Sequence, residues 1–151
     1  MRQESGFTVV ELMVTIAIAA ILMSMAVPAF RDFVQSTQVS NAANEFALAI
    51  NIARTEAAKR GEIVRVGSIS GTADWSGGWR VWIDDPNVGT VGAYDAGEEL
   101  HVAEALGTGL ALDSNNGNAE YRYSPSGRVN NADVLQLCDQ RAGNTDRSLT
   151  L

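Results

Sequence analysis

The residues near the start of the chain that could do chemistry are a glycine, an aromatic residue and a carboxylate at short spacing. Glu11 lies five residues after Gly6 and is followed by nineteen uncharged residues, from Leu12 to Phe30. A carboxylate in so apolar a stretch costs several kcal/mol to bury unless a cation compensates it. The carboxylate of Glu11 therefore needs a cationic partner.

The element that must position Glu11 is a helix of membrane-spanning length. Phe7 to Phe30 provides the roughly 20 apolar residues that cross a hydrocarbon core of about 30 Å. A secretory signal peptide cut after Ala26 is the alternative, but its apolar region is usually about 7–15 residues long and follows a positively charged segment. Pro28 lacks an amide hydrogen, so we expect the helix to bend or locally unwind near Ser24. That bend would help the helix fit a filament core, or it is a simple kink without a role in assembly.

The rest of the chain predicts a second half of this helix and then strands. Apolar residues at three- and four-residue spacing, including Phe46, Ile50 and Ala53 as core residues, continue the helix to Arg60, where Gly61 supplies a left-handed cap. Seven alternating segments then predict strands: Ile63–Val66, Gly78–Ile83, Glu99–Val102, Gly109–Leu112, Tyr121–Tyr123, Val134–Leu137 and Ser148–Leu151. We therefore expect an α+β fold, with a long N-terminal α-helix packed on an antiparallel β-sheet domain.

Two further expectations concern the globular domain. Trp79 and Trp82 should lie on opposite faces of their strand, so that only one of them is deep in the core. Between Asp74 and Asp113, eight carboxylates are accompanied only by Arg80, and the whole chain has a net charge of -7. We expect the acidic stretch to be a solvated surface, which is unfavourable for binding a phosphate backbone.

Catalytic and metal-binding patterns are weak in this sequence. His101 is the only histidine, so a histidine-based metal site or catalytic triad is not expected. Oxygen ligands for calcium could come from Asp84, Asp85, Asn87, Asp95, Glu98 and Glu99, but their spacing does not match a calcium-binding loop, and turn formation explains the same residues. We therefore predict no catalytic residues, no metal, no cofactor and no small-molecule substrate, and an enzyme is the least favoured class.

The segment from Gly6 to Val14 resembles the leader and N-terminal helix of type IV pilins and type II secretion pseudopilins. The resemblance implies that prepilin peptidase cuts between Gly6 and Phe7, that Phe7 is N-methylated, and that Glu11 and Phe7 make the subunit assembly contact. The charged amine of Phe7 in one subunit would then pair with Glu11 of its neighbour and set a fixed axial step between subunits. Pro28 lies where pilins commonly carry a proline. The resemblance also implies that the chain has three parts: a leader peptide at residues 1–6, a transmembrane and assembly half-helix at 7–30, and an amphipathic half-helix with a β-rich globular domain at 31–151.

Later segments resemble the GspH/FimT group of minor pilins and minor pseudopilins: Ala53–Arg60, Gly78-Trp79, Asp95–Glu99, Tyr123–Gly127 and Leu137–Asp139. This resemblance implies a single-pass protein of the bacterial inner membrane, with a periplasmic C-terminal domain, that moves to the tip of a pilus or pseudopilus. Its partners would be other minor and major pilins or pseudopilins, prepilin peptidase and the inner membrane. Helping to initiate or cap a type IV pilus is the leading function, and a type II secretion pseudopilin or a DNA-binding pilin of competence is the alternative.

Two departures from the group's pattern bear on these alternatives. Members often pair two cysteines, but Cys138 is the only cysteine here, so we expect it to be a buried apolar residue rather than half of an internal disulfide. Some members bind DNA through a C-terminal Gly-Arg-x-Arg motif, whereas the nearest match, Gly127 to Asn130, lacks the second arginine. We therefore do not expect nucleic acid as a partner.

Overall fold

The structure is a computed structural model that describes residues 7–87, 89–139 and 147–150. Two compact units follow each other along the chain, Met1–Thr37 and Gln38–Leu151. The helix α1 spans Val9–Arg60 and so contributes residues to both units.

In the first unit, α1 is an apolar helix without a buried face. Its residues are exposed from Val9 to Phe33, with the large apolar side chains among them. The helix continues through Pro28 without interruption. The helix is therefore not unwound near Ser24, and the bend at Pro28 remains a prediction.

In the second unit, α1 buries one side. Its buried residues recur at three- and four-residue intervals: Val39, Ala42, Phe46, Ala49, Ala53 and Ala57. Four of these six are alanines, which let the strands approach the helix closely. The helix ends at Arg60, and Gly61 has a φ of 72°, a left-handed conformation that glycine adopts without strain. The predicted helix end and the core positions of Phe46 and Ala53 are confirmed, while Ile50 is only partly buried against the core.

Seven strands follow the helix, and each predicted strand is confirmed to within two residues: β1 Val64–Ser68, β2 Trp79–Ile83, β3 Glu99–Ala103, β4 Leu110–Ser114, β5 Glu120–Tyr123, β6 Val134–Asp139 and β7 Arg147–Thr150. They form two antiparallel sheets rather than one. The four-stranded sheet has the order β3-β2-β1-β5, and the three-stranded sheet has the order β4-β6-β7. The predicted α+β class is therefore confirmed, with the sheet divided in two.

Aromatic residues fill the space between the helix and the sheets. The Phe46 ring lies edge-on to Trp75 and Trp79, with centroid distances of 5.6 and 5.3 Å. Trp75 stacks on Tyr121 at 5.3 Å, and its indole nitrogen donates a hydrogen bond to the carbonyl of Asn118. Aromatic pairs in these geometries add to the free energy gained from burial, so the cluster is the centre of the core.

The expectation that only one of Trp79 and Trp82 lies deep in the core is confirmed, since only Trp79 belongs to the main core cluster, but Trp82 is buried as well. Trp79 has no exposed surface, and Trp82, on the other face of β2, is only 5% exposed. The loop between β2 and β3 covers that outer face, where Tyr94 packs edge-on against Trp82. Gly67 lies beneath the Trp82 ring, and a Cβ atom at Gly67 would be 2.7 Å from it. The outer face of this sheet is thus a second, smaller packed layer.

Candidate assembly site

The first turn of α1 places the predicted assembly residues. Thr8 precedes the helix, and its hydroxyl oxygen accepts a hydrogen bond from the backbone amide of Glu11 at 3.2 Å. Thr8 therefore caps the helix, and Glu11 occupies the third helical position. A carboxylate there is favoured by the positive end of the helix dipole. Phe7, directly before the cap, is 82% exposed.

Glu11 is the only charged residue between Phe7 and Phe30, and the other polar groups in that stretch are satisfied within the helix. Thr15 donates its hydroxyl to the carbonyls of Glu11 and Leu12, and Ser24 donates to that of Ile21. Among the described residues, the Glu11 carboxylate accepts no hydrogen bond and forms no ion pair. In an apolar environment, this carboxylate is therefore the group that needs a partner from outside the helix.

The length and composition of α1 suit a membrane. An 18-residue window of the helix reaches a mean hydropathy of 2.3, and none of that window is buried. Large apolar side chains in this part are more than half exposed, for example Phe7, Met13, Ile16, Ile21 and Phe30. The bare helix therefore presents a continuous apolar surface that lipid or other helices could cover.

Of the residues predicted for this site, Glu11 lies in the first turn of α1, Phe7 lies two residues before the helix begins, and Pro28 lies inside the helix. Gly6, the other side of the predicted cleavage point, lies outside the described residues. Cleavage, methylation of Phe7 and the contact between subunits therefore remain predictions. Thr8 was missed as a functional residue, although Thr8-Val9-Val10-Glu11 has the spacing of a capping box that could have revealed it.

The acidic loop between β2 and β3 differs from the solvated surface expected. Asp84 and Glu98 are 5% and 6% exposed. Asp84 accepts a hydrogen bond from Arg65 at 2.9 Å and another from the amide of Gly92 at 2.7 Å. Glu98 accepts bonds from the amides of Asp85 and Asp95. Their hydrogen bonds compensate the burial of the two carboxylates and fix the conformation of the loop. The local sequence does not distinguish such buried carboxylates from charges on the surface.

Another buried carboxylate, that of Asp133, joins the two sheets. One oxygen of Asp133 accepts hydrogen bonds from Ser114 at the end of β4, from Asn118 and from the hydroxyl of Tyr121 in β5. Its other oxygen accepts a hydrogen bond from the backbone amide of Val134 at 2.7 Å. Burial raises the pKa of Asp133, but these hydrogen bonds outweigh it and lower the pKa to about 2. Asp133 therefore stays ionised and ties the four-stranded sheet to the three-stranded one.

The remaining candidates show no arrangement for catalysis. His101 lies in β3 with its Nε2 atom 3.1 Å from a carboxylate oxygen of Glu45 on α1. Cys138 is half-buried in β6, so the expectation of a buried residue was wrong. Within residues 7–87, 89–139 and 147–150, no three histidine, cysteine, aspartate or glutamate side chains are grouped in a way that could hold a metal ion.

Comparisons with known proteins agree with this geometry. Residues 42–151 match the family described as "Type II transport protein GspH", and residues 1–27 match the prokaryotic N-terminal methylation motif. A fimbrial protein of Pseudomonas aeruginosa is 42% identical over 45 residues, which cover 30% of this chain and 29% of that protein. A fimbrial protein of Moraxella nonliquefaciens is 48% identical over 42 residues, which cover 28% of this chain and 27% of that protein. The matches thus span less than a third of the length of these relatives.

The fold is also that of a known pilin. The crystal structure of the type IV minor pilin FimU of Pseudomonas aeruginosa aligns with a TM-score of 0.60, covering 77% of this chain and 84% of that one. At 15% sequence identity, this likeness concerns the fold alone. The family match covers most of the chain and both the N-terminal motif and the fold agree with it, so the chain belongs to the GspH/FimT family of type IV pilin-like subunits.

Proposed function

We propose that this protein is a minor pilin that helps to initiate or cap assembly of a type IV pilus. Prepilin peptidase cuts the chain between Gly6 and Phe7, and the new amino terminus of Phe7 is methylated. Before assembly, residues 7–30 anchor the protein in the inner membrane, with the globular domain in the periplasm. In the filament, Glu11 is neutralised by the terminal amine of a neighbouring subunit.

The observation that carries this proposal is the contrast between the two ends of α1. Around Phe46 the helix is buried in the core of the globular domain. Around Glu11 every side chain is exposed, and the only polar groups besides the carboxylate are threonine hydroxyls that are hydrogen-bonded within the helix and its cap. A soluble protein has no use for such a surface, but a filament of packed helices covers it and supplies the missing cation. The agreement with the N-terminal methylation motif supports processing of this end.

A minor pseudopilin of a type II secretion system is the second candidate. The specific observation in its favour is the description of the matching family, a type II transport protein. Both machines would use the same N-terminal contact, so the geometry of Glu11 does not separate them.

Deletion of the gene and complementation with the full chain test the proposed role. We expect the deletion to reduce the number of surface filaments counted by electron microscopy to a small fraction, because initiation is the costly step of a cooperative assembly. Complementation should restore the number, and secretion of exoproteins should be unchanged in the deletion strain. A normal filament number with defective secretion would instead identify the pseudopilin. If both filaments and secretion are normal, neither assignment holds.

A further inference from the structure

The turn that follows β5 presents two arginines on one face. Backbone hydrogen bonds from Ser124 to Arg128 and from Asn130 to Arg122 close this turn, at 2.9 and 3.0 Å. Because side chains alternate along paired strands, these four residues share a face, while Tyr123 between them is completely buried on the other. Arg122 and Arg128 are both exposed on the shared face. We call this surface, Arg122, Ser124, Arg128 and Asn130, the arginine face.

The two arginines border a shallow pocket of about 300 Å³ whose remaining lining includes the apolar residues Ile63 and Pro125. Arg54 of α1 is not part of this pocket, because its guanidinium group lies over the ring of Tyr123, 6.0 Å from the centroid, on the other face. The pocket therefore combines two guanidinium groups with apolar surface. This combination suits a glutamate or aspartate side chain, which has an apolar stem and a carboxylate that a guanidinium binds through two parallel hydrogen bonds.

The charges of the arginine face are uncompensated within the part of the chain that the structure describes. Arg122 and Arg128 form no ion pair with any described residue, whereas Arg60 pairs with Glu56 and Arg65 with Asp84. The whole chain nevertheless has a net charge of -7. Because these two cations form no ion pair with any described residue, they are available for a short-range contact with carboxylates of another molecule, in spite of the negative net charge.

We propose that the arginine face docks a carboxylate-bearing surface loop of a neighbouring pilin-like subunit. This inference rests on the proposed function, because it requires that the protein assembles beside other subunits. The docking contact lies on the globular domain and is separate from the Glu11 contact at the helix end. The docking contact would determine which subunit lies next to this one. The charge pair at the helix end gives no such specificity, because it is the same for every subunit that carries it.

A nucleic acid is the less suitable occupant of the same surface. Proteins that hold duplex DNA commonly make about 6–10 phosphate contacts through clustered lysines and arginines. The arginine face offers only Arg122 and Arg128, on a chain of strongly negative net charge. One or two carboxylates match this number of cations, and a long polyanion does not.

Zero-length crosslinking in membranes tests the proposal. The full chain carrying Arg122→Lys and Arg128→Lys keeps both charges and gains amines that a carbodiimide couples to a carboxylate in direct contact. We expect crosslinks that mass spectrometry maps from these two positions to aspartate or glutamate residues of another pilin subunit. The double variant Arg122→Gln/Arg128→Gln should lower the amount of that subunit that co-purifies with the full chain by about tenfold or more. The matched control, Lys59→Gln/Arg60→Gln, removes the same charge from exposed positions and should leave it unchanged.

The outcomes separate this inference from the proposed function. If wild-type protein co-purifies with pilin subunits but the glutamine variant does so equally well, or if crosslinks form only within the chain, the arginine face is not the docking site. Retention of a double-stranded oligonucleotide that is lost in Arg122→Gln/Arg128→Gln, but kept in the control, would replace the protein partner with DNA. If wild-type protein co-purifies with no pilin or pseudopilin, it is the proposed function that fails.

Discussion

Replacing Glu11 with valine is expected to leave the protein in the membrane and to abolish its incorporation into filaments. The substitution makes the span more apolar, so insertion is not impaired. It also removes the only charge between Phe7 and Phe30. The terminal amine of the neighbouring subunit would then be buried without a counter-ion, and breaking a buried pair in this way costs about 3–5 kcal/mol. Immunoblots of the membrane fraction and of sheared filaments measure the two quantities separately.

Thr15→Val is the matched control for that experiment. Thr15 lies one helical turn after Glu11, and its hydroxyl bonds only to carbonyls of the same helix. The change from a polar to a β-branched apolar side chain is therefore similar, but no charge is lost. We expect normal amounts of Thr15→Val in sheared filaments. Incorporation of Glu11→Val at the level of the control would disprove the role assigned to the carboxylate.

The substitution Asp133→Ala is expected to have the largest effect on the stability of the globular domain. It leaves the hydroxyls of Ser114 and Tyr121 and the amide of Asn118 without their acceptor, in a buried position between the two sheets. Loss of such a network costs about 3–5 kcal/mol. Urea unfolding of the detergent-solubilised full chain, followed by tryptophan fluorescence, measures this loss, because Trp75 stacks on Tyr121.

The acid dependence of unfolding distinguishes the charge of Asp133 from its shape. Its folded pKa of about 2 lies below the ordinary value of 3.8. A lowered folded pKa stabilises the protein fully above the unfolded pKa, and this contribution, about 2 kcal/mol, is lost as the pH falls from about 5 to 2. Asp133→Asn should therefore have a flatter stability profile over this window than the wild type. Asp113→Asn is the matched control, because it makes the same change at an exposed carboxylate. Parallel profiles for wild type and Asp133→Asn would contradict the assignment.

The elements of the fold could be predicted because their signals are local. Gly61 after Lys59 and Arg60 marks the end of the helix, and each strand alternates within four to six residues. Partners that are distant in sequence left no comparable signal. Arg65 and Asp84 lie nineteen residues apart, as do Ser114 and Asp133. For the same reason, Trp82 could not be recognised as buried, because the loop that covers it is defined by such distant contacts.

Some candidate functional residues could likewise be found from the sequence, whereas others could be found only from the folded structure. Glu11 could be singled out from the sequence, since a charge in an apolar segment is unusual by itself. The roles of Gly6, Phe7 and Pro28 in assembly follow from the family resemblance and stay predictions. The arginine face could not be found from the sequence, because Arg122 and Arg128 become neighbours only when the turn after β5 is closed by its backbone bonds. Their lack of ion pairs within the described part of the chain is likewise a property of the folded domain.

The central claim is that the chain is cut after Gly6 to expose an amine that a neighbour's Glu11 neutralises. Mass spectrometry of the N-terminal peptide of protein purified from its native membrane tests this most directly. The account predicts a mature chain that begins at Phe7 and carries a methyl group on its terminal nitrogen. A functional chain that begins at Met1, or at Val27 after removal of a signal peptide, would contradict it.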